Sequence, residues 1–297
     1  KMFILGNGGN DVNEYTLTSP FSLVNVSGEH TGDVIDTANT STYDTDVDVE
    51  TLTVTAVRLG SSEGSGTAGT VGSALTGTYG QLTLNSNGSY TYVANQTAAD
   101  NLDAGDVVTD TFNYTVSDGT ASDIAVITIT VIGINDAPSA QNDVGVITED
   151  ATLTVTNGSN ATLTGTYDAT GENSGDLIDT SSSSHTDTDL DTSASLSITQ
   201  IKKENGSNSA VASGSSYNSS GTQVTGTYGT LTIGADGSYT YAATEDAADV
   251  LDVGESATDK FIYTLSDGTT TTTAELTITV LGANDAPVAA DDYGAIN

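Results

Sequence analysis

Short runs in which apolar and polar residues alternate recur along the chain, each bounded by Gly, Asn, Asp or Ser. In the first half they are LTVTAV at 52–57, GQLTL at 80–84, SYTYV at 89–93, TFNYTV at 111–116 and AVITITVI at 125–132. A period of two sends successive side chains to opposite faces, so each run predicts a strand with one buried face. Asn87-Gly88 lies between two such runs and predicts a hairpin turn, as does Asp236-Gly237 in the second half. No segment carries a helical period. Many short strands at this spacing predict an all-β chain folded as a sandwich.

The pattern comes twice. Residues 76–136, from TGTYGQLTLNSNGSYTY to VIGIND, align without a gap on residues 225–285, from TGTYGTLTIGADGSYTY to VLGAND, and 36 of the 61 positions are identical. Upstream, GDVIDT at 32–37 matches GDLIDT at 175–180, and DTDVD at 44–48 matches DTDLD at 187–191. The second copy has extra residues within 202–224, where a surface loop is expected. A period of about 145 residues is the length of an independent domain, too long for a solenoid unit. The expected division is a boundary segment 1–13, a first repeat 14–134, a linker 135–143, a second repeat 144–283, and 284–297 leading toward a following repeat. Pro138 biases Ala137 toward extended backbone at the linker. Both ends read as cuts out of a longer chain.

Charge narrows the function. Among 297 residues, 40 are acidic and 5 basic, a formal charge of −35. Nucleic-acid binding needs a basic footprint, and docking on an anionic membrane needs the same, so neither fits. Carboxylates this dense must be screened by salt or neutralised by bound cations. With no cysteine there are no disulfides and no thiolate metal sites. No apolar run approaches the roughly 18 residues that span a bilayer.

The last third of each copy, LDAGDVVTDTFNYTVSDG…AVITITVIGINDAP and LDVGESATDKFIYTLSDG…AELTITVLGANDAP, resembles a cadherin domain. With TGTYGxLTL, GSYTY, YTVSDG and NDAP, nearly the whole chain resembles the bacterial VCBS and cadherin-like repeats of giant RTX-type adhesins exported by type I secretion. The resemblance implies an all-β fold of two tandem Ig/cadherin-like Greek-key β-sandwich domains in an extended array. It implies a secreted, extracellular location on the bacterial cell surface, and a role in adhesion and biofilm formation. It also implies calcium, Ca2+, between neighbouring repeats. Carried over, Asp103, Asp106, Asn135 and Asp136 supply one side of the junction, and Glu149, Asp187 and Asp189 the other. Asp252, Glu255, Asn284 and Asp285 are the half-site at the C-terminal end, and Asp44, Asp46 and Asp48 the half-site at the N-terminal end. DTDVD and DTDLD, read as extended stretches, aim their carboxylates one way. Gly133 stands where the animal motif has its first Asp, so fewer ions are expected than at an animal cadherin junction.

Other signals have plainer readings. Tyr79, Tyr90, Tyr92, Tyr114, Tyr228, Tyr239, Tyr241 and Tyr263 sit at alternating strand positions and are expected to pack inward, not to form a sugar platform. His30 and His185 occupy unmatched positions, which disfavours a catalytic or zinc role. Lys260, an isopeptide candidate, has Thr111 as its counterpart. No catalytic constellation emerges, so the chain is read as non-enzymatic. Two readings remain: a structural extender, or a module whose face or 202–224 loop grips a polysaccharide or a partner protein.

Overall fold

The structure, a computed structural model, describes residues 28–35, 44–158, 162–164, 174–178, 185–192, 194–287, 289–291 and 293. The expected boundary segment 1–13 lies outside them. The chain divides into two units, 1–136 and 137–297.

Domain one carries β1 (Gly28–Asp33), β2 (Thr53–Leu59), β3 (Ala68–Gly69), β4 (Ala74–Thr76), β5 (Gln81–Leu84), β6 (Ser89–Ala94), a single helical turn α1 (Thr97–Asp100), β7 (Val107–Ser117) and β8 (Ser122–Ile132). One sheet has the order β1-β6-β5-β4 and the other β3-β2-β7-β8. Domain two carries β9 (Asp143–Thr148), β10 (Thr152–Val155), β11 (Thr162–Thr164), β12 (Ser197–Lys203), β13 (Ser209–Ala210), β14 (Thr222–Thr225), β15 (Thr230–Ile233), β16 (Tyr239–Ala242), β17 (Ser256–Ser266) and β18 (Thr271–Leu281). Its sheets run β11-β10-β16-β15-β14 and β13-β12-β17-β18-β9. Among the described residues the strand pairs are antiparallel except β9 on β18, which is parallel from Leu276↔Asp143 to Leu281↔Thr148.

The alternation buries what it predicts. Leu82, Leu84, Tyr92, Phe112 and Tyr114 are buried in domain one, and Leu231, Ile233, Tyr241, Phe261 and Tyr263 in domain two. The Asn87-Gly88 turn pairs Leu84 with Tyr90 and Leu82 with Tyr92 across the hairpin. Gly88 sits at φ +92°, where a side chain is strained.

Each core also holds a carboxylate on its inward face. Asp110 on β7 is 3 % exposed and Asp259 on β17 is 1 % exposed. Asp110 accepts from the backbone N–H of Thr78 at 2.8 Å, Tyr79 at 3.0 Å and Gly80 at 3.1 Å, and from the Tyr92 hydroxyl at 2.6 Å. Asp259 accepts from Thr227 N at 2.7 Å, Tyr228 N at 2.9 Å and the Tyr241 hydroxyl at 2.6 Å. The TGTYG segment therefore wraps a buried carboxyl group. Its glycines are required because a Cβ on Gly77 or Gly226 would collide with that carboxylate. Tyr92 and Tyr241 then meet Phe112 and Phe261 edge-on, at ring-centroid separations of 6.4 and 6.1 Å.

The 202–224 segment departs from the expected surface loop. It contributes β13 and β14, and Val211 is 7 % exposed within the core. The buried Ser215 hydroxyl accepts from Ala235 N at 3.0 Å, and Lys203 Nζ donates to Thr227 Oγ1 at 2.6 Å. Apolar and hydrogen-bonded anchors hold the insertion to the sandwich. Lys260 pairs with Glu275 at 2.6 Å on a partly exposed face, unlike the buried setting an isopeptide bond needs.

Removing the Asp259 carboxylate orphans buried backbone donors and a tyrosine hydroxyl. Asp259→Ala is expected to cost domain two about 3 kcal/mol or more, against about 1–2 kcal/mol for Tyr241→Phe, with urea unfolding as the measurement. Equal, sub-kilocalorie effects would show that the lock is incidental.

Candidate functional site

At the N-terminal pole of domain one, the stretch read as extended is a turn. Asp44 accepts from the Tyr114 hydroxyl at 2.9 Å and anchors the loop to β7. Burial raises the Asp44 carboxyl above its usual range, the Tyr114 hydrogen bond lowers it, and the Asp123 charge raises it further. Asp46 accepts from Asp48 N at 2.7 Å, and Val49 then adopts φ +64°, reversing the chain. The reversal brings Glu50 to Asp46 and to Asp118 of the β7–β8 turn, with one carboxylate oxygen of each within 4.8 Å of the others. Asp44 and Asp48 are not members of this group, which corrects the expectation of three aligned aspartates.

Asp118 is held by two backbone donors of its own turn. The N–H groups of Ala121 and Thr120, at 2.7 and 2.5 Å, hold its carboxyl below the usual carboxylate range. Asp44, Asp46, Asp118 and Asp123 line a cleft of about 380 Å3 with Thr45, Ser117 and Ser122. Hard oxygens in a solvent-open cleft suit calcium, which takes six to eight of them. The sequence reading missed Asp118 and Glu50. The signal for Asp118 was available, since the SDG turn recurs with Asp267 in the second copy.

Domain two repeats the scaffold with a deeper acid. Asp191 N donates to Asp189 at 2.8 Å, the same short turn as in domain one. Asp187, the counterpart of Asp44, is 2 % exposed and accepts from Gln141 N at 2.7 Å. It is committed to the interior. Burial raises the Asp187 carboxyl to about 6, and raises that of Asp143, 1 % exposed on β9, to about 7.

At the C-terminal poles, the LDxG[DE] turn is stitched to the exit of the last strand. In domain one, Asp106 N donates to Asp103 O at 2.9 Å and Gly133 N to Asp106 O at 2.9 Å. In domain two, Glu255 N donates to Asp252 O at 2.8 Å and Gly282 N to Glu255 O at 3.0 Å. A Cβ on Gly133 would strike the Asp103 carbonyl and Leu102. The aspartate of the animal motif does not fit there. Asn135 and Asp136 follow two and three residues after Gly133, which is bonded to the Asp103–Asp106 turn, and Asn284 and Asp285 follow likewise after Gly282, bonded to Glu255.

Glu149 is misplaced by the resemblance as carried over. It lies one residue past β9, where its N–H bonds Leu281 O at 2.9 Å and its carboxylate accepts from Ala283 N. Six residues of extended strand, about 20 Å, separate it from Asp143 and the Asp187 end of the domain. It therefore joins the Asp252, Glu255 and Asp285 pole. Glu149 is 3 % exposed, and its Oε2 has no hydrogen-bond partner. Burial raises its carboxyl, and the charges of Asp285, Asp150 and Asp249 add to that, with the Ala283 N–H opposing. A buried, orphaned carboxylate oxygen among other acids is a donor set that fits a hard cation.

A profile of the bacterial cadherin-like domain matches residues 13–133 and 135–282. A calcium-binding lectin, RapA2 of Rhizobium johnstonii, is 38 % identical over 84 residues, 28 % of this chain and 36 % of the lectin. The chain thus spans about a third of that relative's length. Among solved structures, human protocadherin-24 EC1-2 aligns over 81 % of this chain and 85 % of its own at 11 % identity and a TM-score of 0.36. Protocadherin gammaB7 EC3-6, described as a cis-dimer, aligns over 71 % and 40 % at 13 % identity and a TM-score of 0.33. An endo-fucoidan hydrolase of glycoside hydrolase family 107 aligns over 86 % and 26 % at 19 % identity and a TM-score of 0.23. Two consecutive matches account for nearly the full length, and the chain belongs to the bacterial cadherin-like domain family.

Proposed function

We propose that this chain is a non-enzymatic structural repeat of a secreted bacterial surface adhesin, of the RTX type exported by type I secretion. In this reading, calcium taken up at the domain ends makes successive repeats rigid for surface attachment and biofilm formation. The observation that carries it is the Asp46–Glu50–Asp118 group, whose three carboxylate oxygens lie within 4.8 Å of one another. The orphaned Glu149 Oε2 supports it at the other kind of pole. Asp103, Asp106, Asn135, Asp136, Asp189, Asp252, Glu255, Asn284 and Asp285 are the further proposed ligands.

A second reading, carbohydrate binding, is favoured by the lectin relative, whose description names both calcium and a lectin. The tyrosines do not favour it, because Tyr92, Tyr114, Tyr239, Tyr241 and Tyr263 are buried. Reproducible capture of one defined sugar on a glycan array would favour this second reading.

Calorimetry and small-angle scattering, with calcium and with chelator, test the first. Heat of binding and a stiffer particle in calcium are expected, and their joint absence would reject it. At a hundredfold excess over Kd each ion adds about 2.7 kcal/mol, so the melting temperature should rise by roughly 5–15 °C. Asp118→Asn should lose the share of that rise belonging to domain one.

The pH dependence without calcium has a definite sign. Burial pushes the Asp143 and Asp187 carboxyls up to about 7 and about 6 in the folded state, against 3.8 for a free aspartate. Their contribution to stability is present below about pH 4 and is lost as pH rises to about 7, when buried anions form. In chelator, domain two should therefore weaken between pH 4 and 7. Thermal unfolding at stepped pH is the measurement.

A further inference from the structure

Among the described residues, eight strands end the four sheets, and seven of them have two to six residues. The exception is β8, with eleven. No described residue pairs with its outer edge. At about 3.3 Å per residue, β8 presents roughly 36 Å of backbone donors and acceptors along that edge. Folded proteins guard such an edge by shortening it, charging it or covering it.

Domain two guards the matching strand, β18. There β9 lies along the edge from Leu276 to Leu281. On the outward face Glu275 pairs with Lys260 at 2.6 Å. Domain one has Val126 at the position of Glu275, Ile124 at that of Thr273 and Thr111 at that of Lys260. A strap over residues 60–65 covers part of this face. The Asn113 amide donates to the Gly60 carbonyl at 2.9 Å and the Ser65 carbonyl at 3.0 Å, and its Oδ1 accepts from Gly64 N at 3.1 Å. Gly64 stands beside the Ile124 side chain. The strap does not reach further along β8, where Val126 and Ile132 are 39 and 41 % exposed.

The sequence of this edge suits one partner, itself. Residues 125–132 read AVITITVI, without charge, Gly or Pro. Uncharged, β-branched runs of this length pair with identical runs. Copies of a chain with net charge −35 repel one another. The one acid of β8 is Asp123, near its start, so two copies can meet along the rest of the strand with little charge between them.

We propose that β8 is a self-association surface. Two copies of this chain join edge to edge through β8, antiparallel about a two-fold axis, and merge their β3-β2-β7-β8 sheets into one. Backbone hydrogen bonds hold the seam, and Val126 and Ile132 of the two copies pack beside it. The joint is isologous and uses the edge of each copy once, so it stops at two. It links chains side by side, through a strand that the pole ligands do not use.

The test uses the full chain in chelator, with enough sodium chloride to screen its charge, and analytical ultracentrifugation over a range of concentrations. A seam this small is weak, so a dimer with Kd on the order of 100 µM is expected. Val126→Glu, the side chain that domain two carries there, sets like charges near the seam and should weaken the dimer about tenfold. A parent that stays monomeric well above that concentration or grows past a dimer overturns the proposal. So does a Val126→Glu chain that dimerises as the parent does. If Val126→Glu does not fold, hydrogen exchange of the parent decides. The β8 amides should exchange more slowly as concentration rises through Kd, and unchanged exchange overturns the proposal. Chelator strips the pole ions from every arm, so this claim and the calcium-stiffened adhesin reading fail separately.

Discussion

A chain with forty carboxylates and five basic side chains cannot neutralise its acids by ion pairing. That constraint shapes both domains. Where an acid lies in the core, the fold must bring hydrogen-bond donors to it, since a buried carboxylate left bare costs several kcal/mol. Asp110 and Asp259 meet the constraint with backbone N–H groups of TGTYG and one tyrosine hydroxyl each. The glycines follow from that choice, because backbone can approach a carboxylate closely only where no Cβ intervenes. Where acids collect at the domain ends, donors run short, and the remaining compensation has to come from solution. The same constraint thus gives both a motif that looks purely structural and a surface that looks like a metal site.

The sandwich was legible because a period of two is a local property. Each run from LTVTAV to AVITITVI became a strand, with the face it predicted except in β2, where a bulge between Val54 and Ala56 moves burial on to Val57. The buried acids were legible in part. Asp110 shares strand parity with Phe112, Tyr114 and Val116, and Asp259 repeats the pattern, so a charge stands on the core face in both copies. Repetition at an inward position is a signal that composition, uniformly acidic, conceals.

The site was harder to read, and the errors have physical causes. Glu50 and Asp118 come from different loops and meet only after Val49 turns the chain back, a backbone conformation that a β-branched residue gives no hint of. Asp44 and Asp187 are also anchored within their own domains, Asp44 by the Tyr114 hydroxyl and Asp187 by the Gln141 N–H, a role that the motif does not reveal. Glu149 was assigned to the wrong end because a motif gives sequence order, whereas β9 carries the chain from one end of the domain to the other.

The parallel pairing of β9 with β18 has a mechanical consequence. The first and last strands of domain two lie side by side and point the same way, over six residue pairs. A pull that separates the domain's two termini therefore acts along these strands. It loads their evenly spaced, slanted hydrogen bonds together in shear, where a hairpin pulled at its open end would unzip one rung at a time. A molecule tethered at one end and dragged by flow at the other would meet its stiffest resistance at that seam.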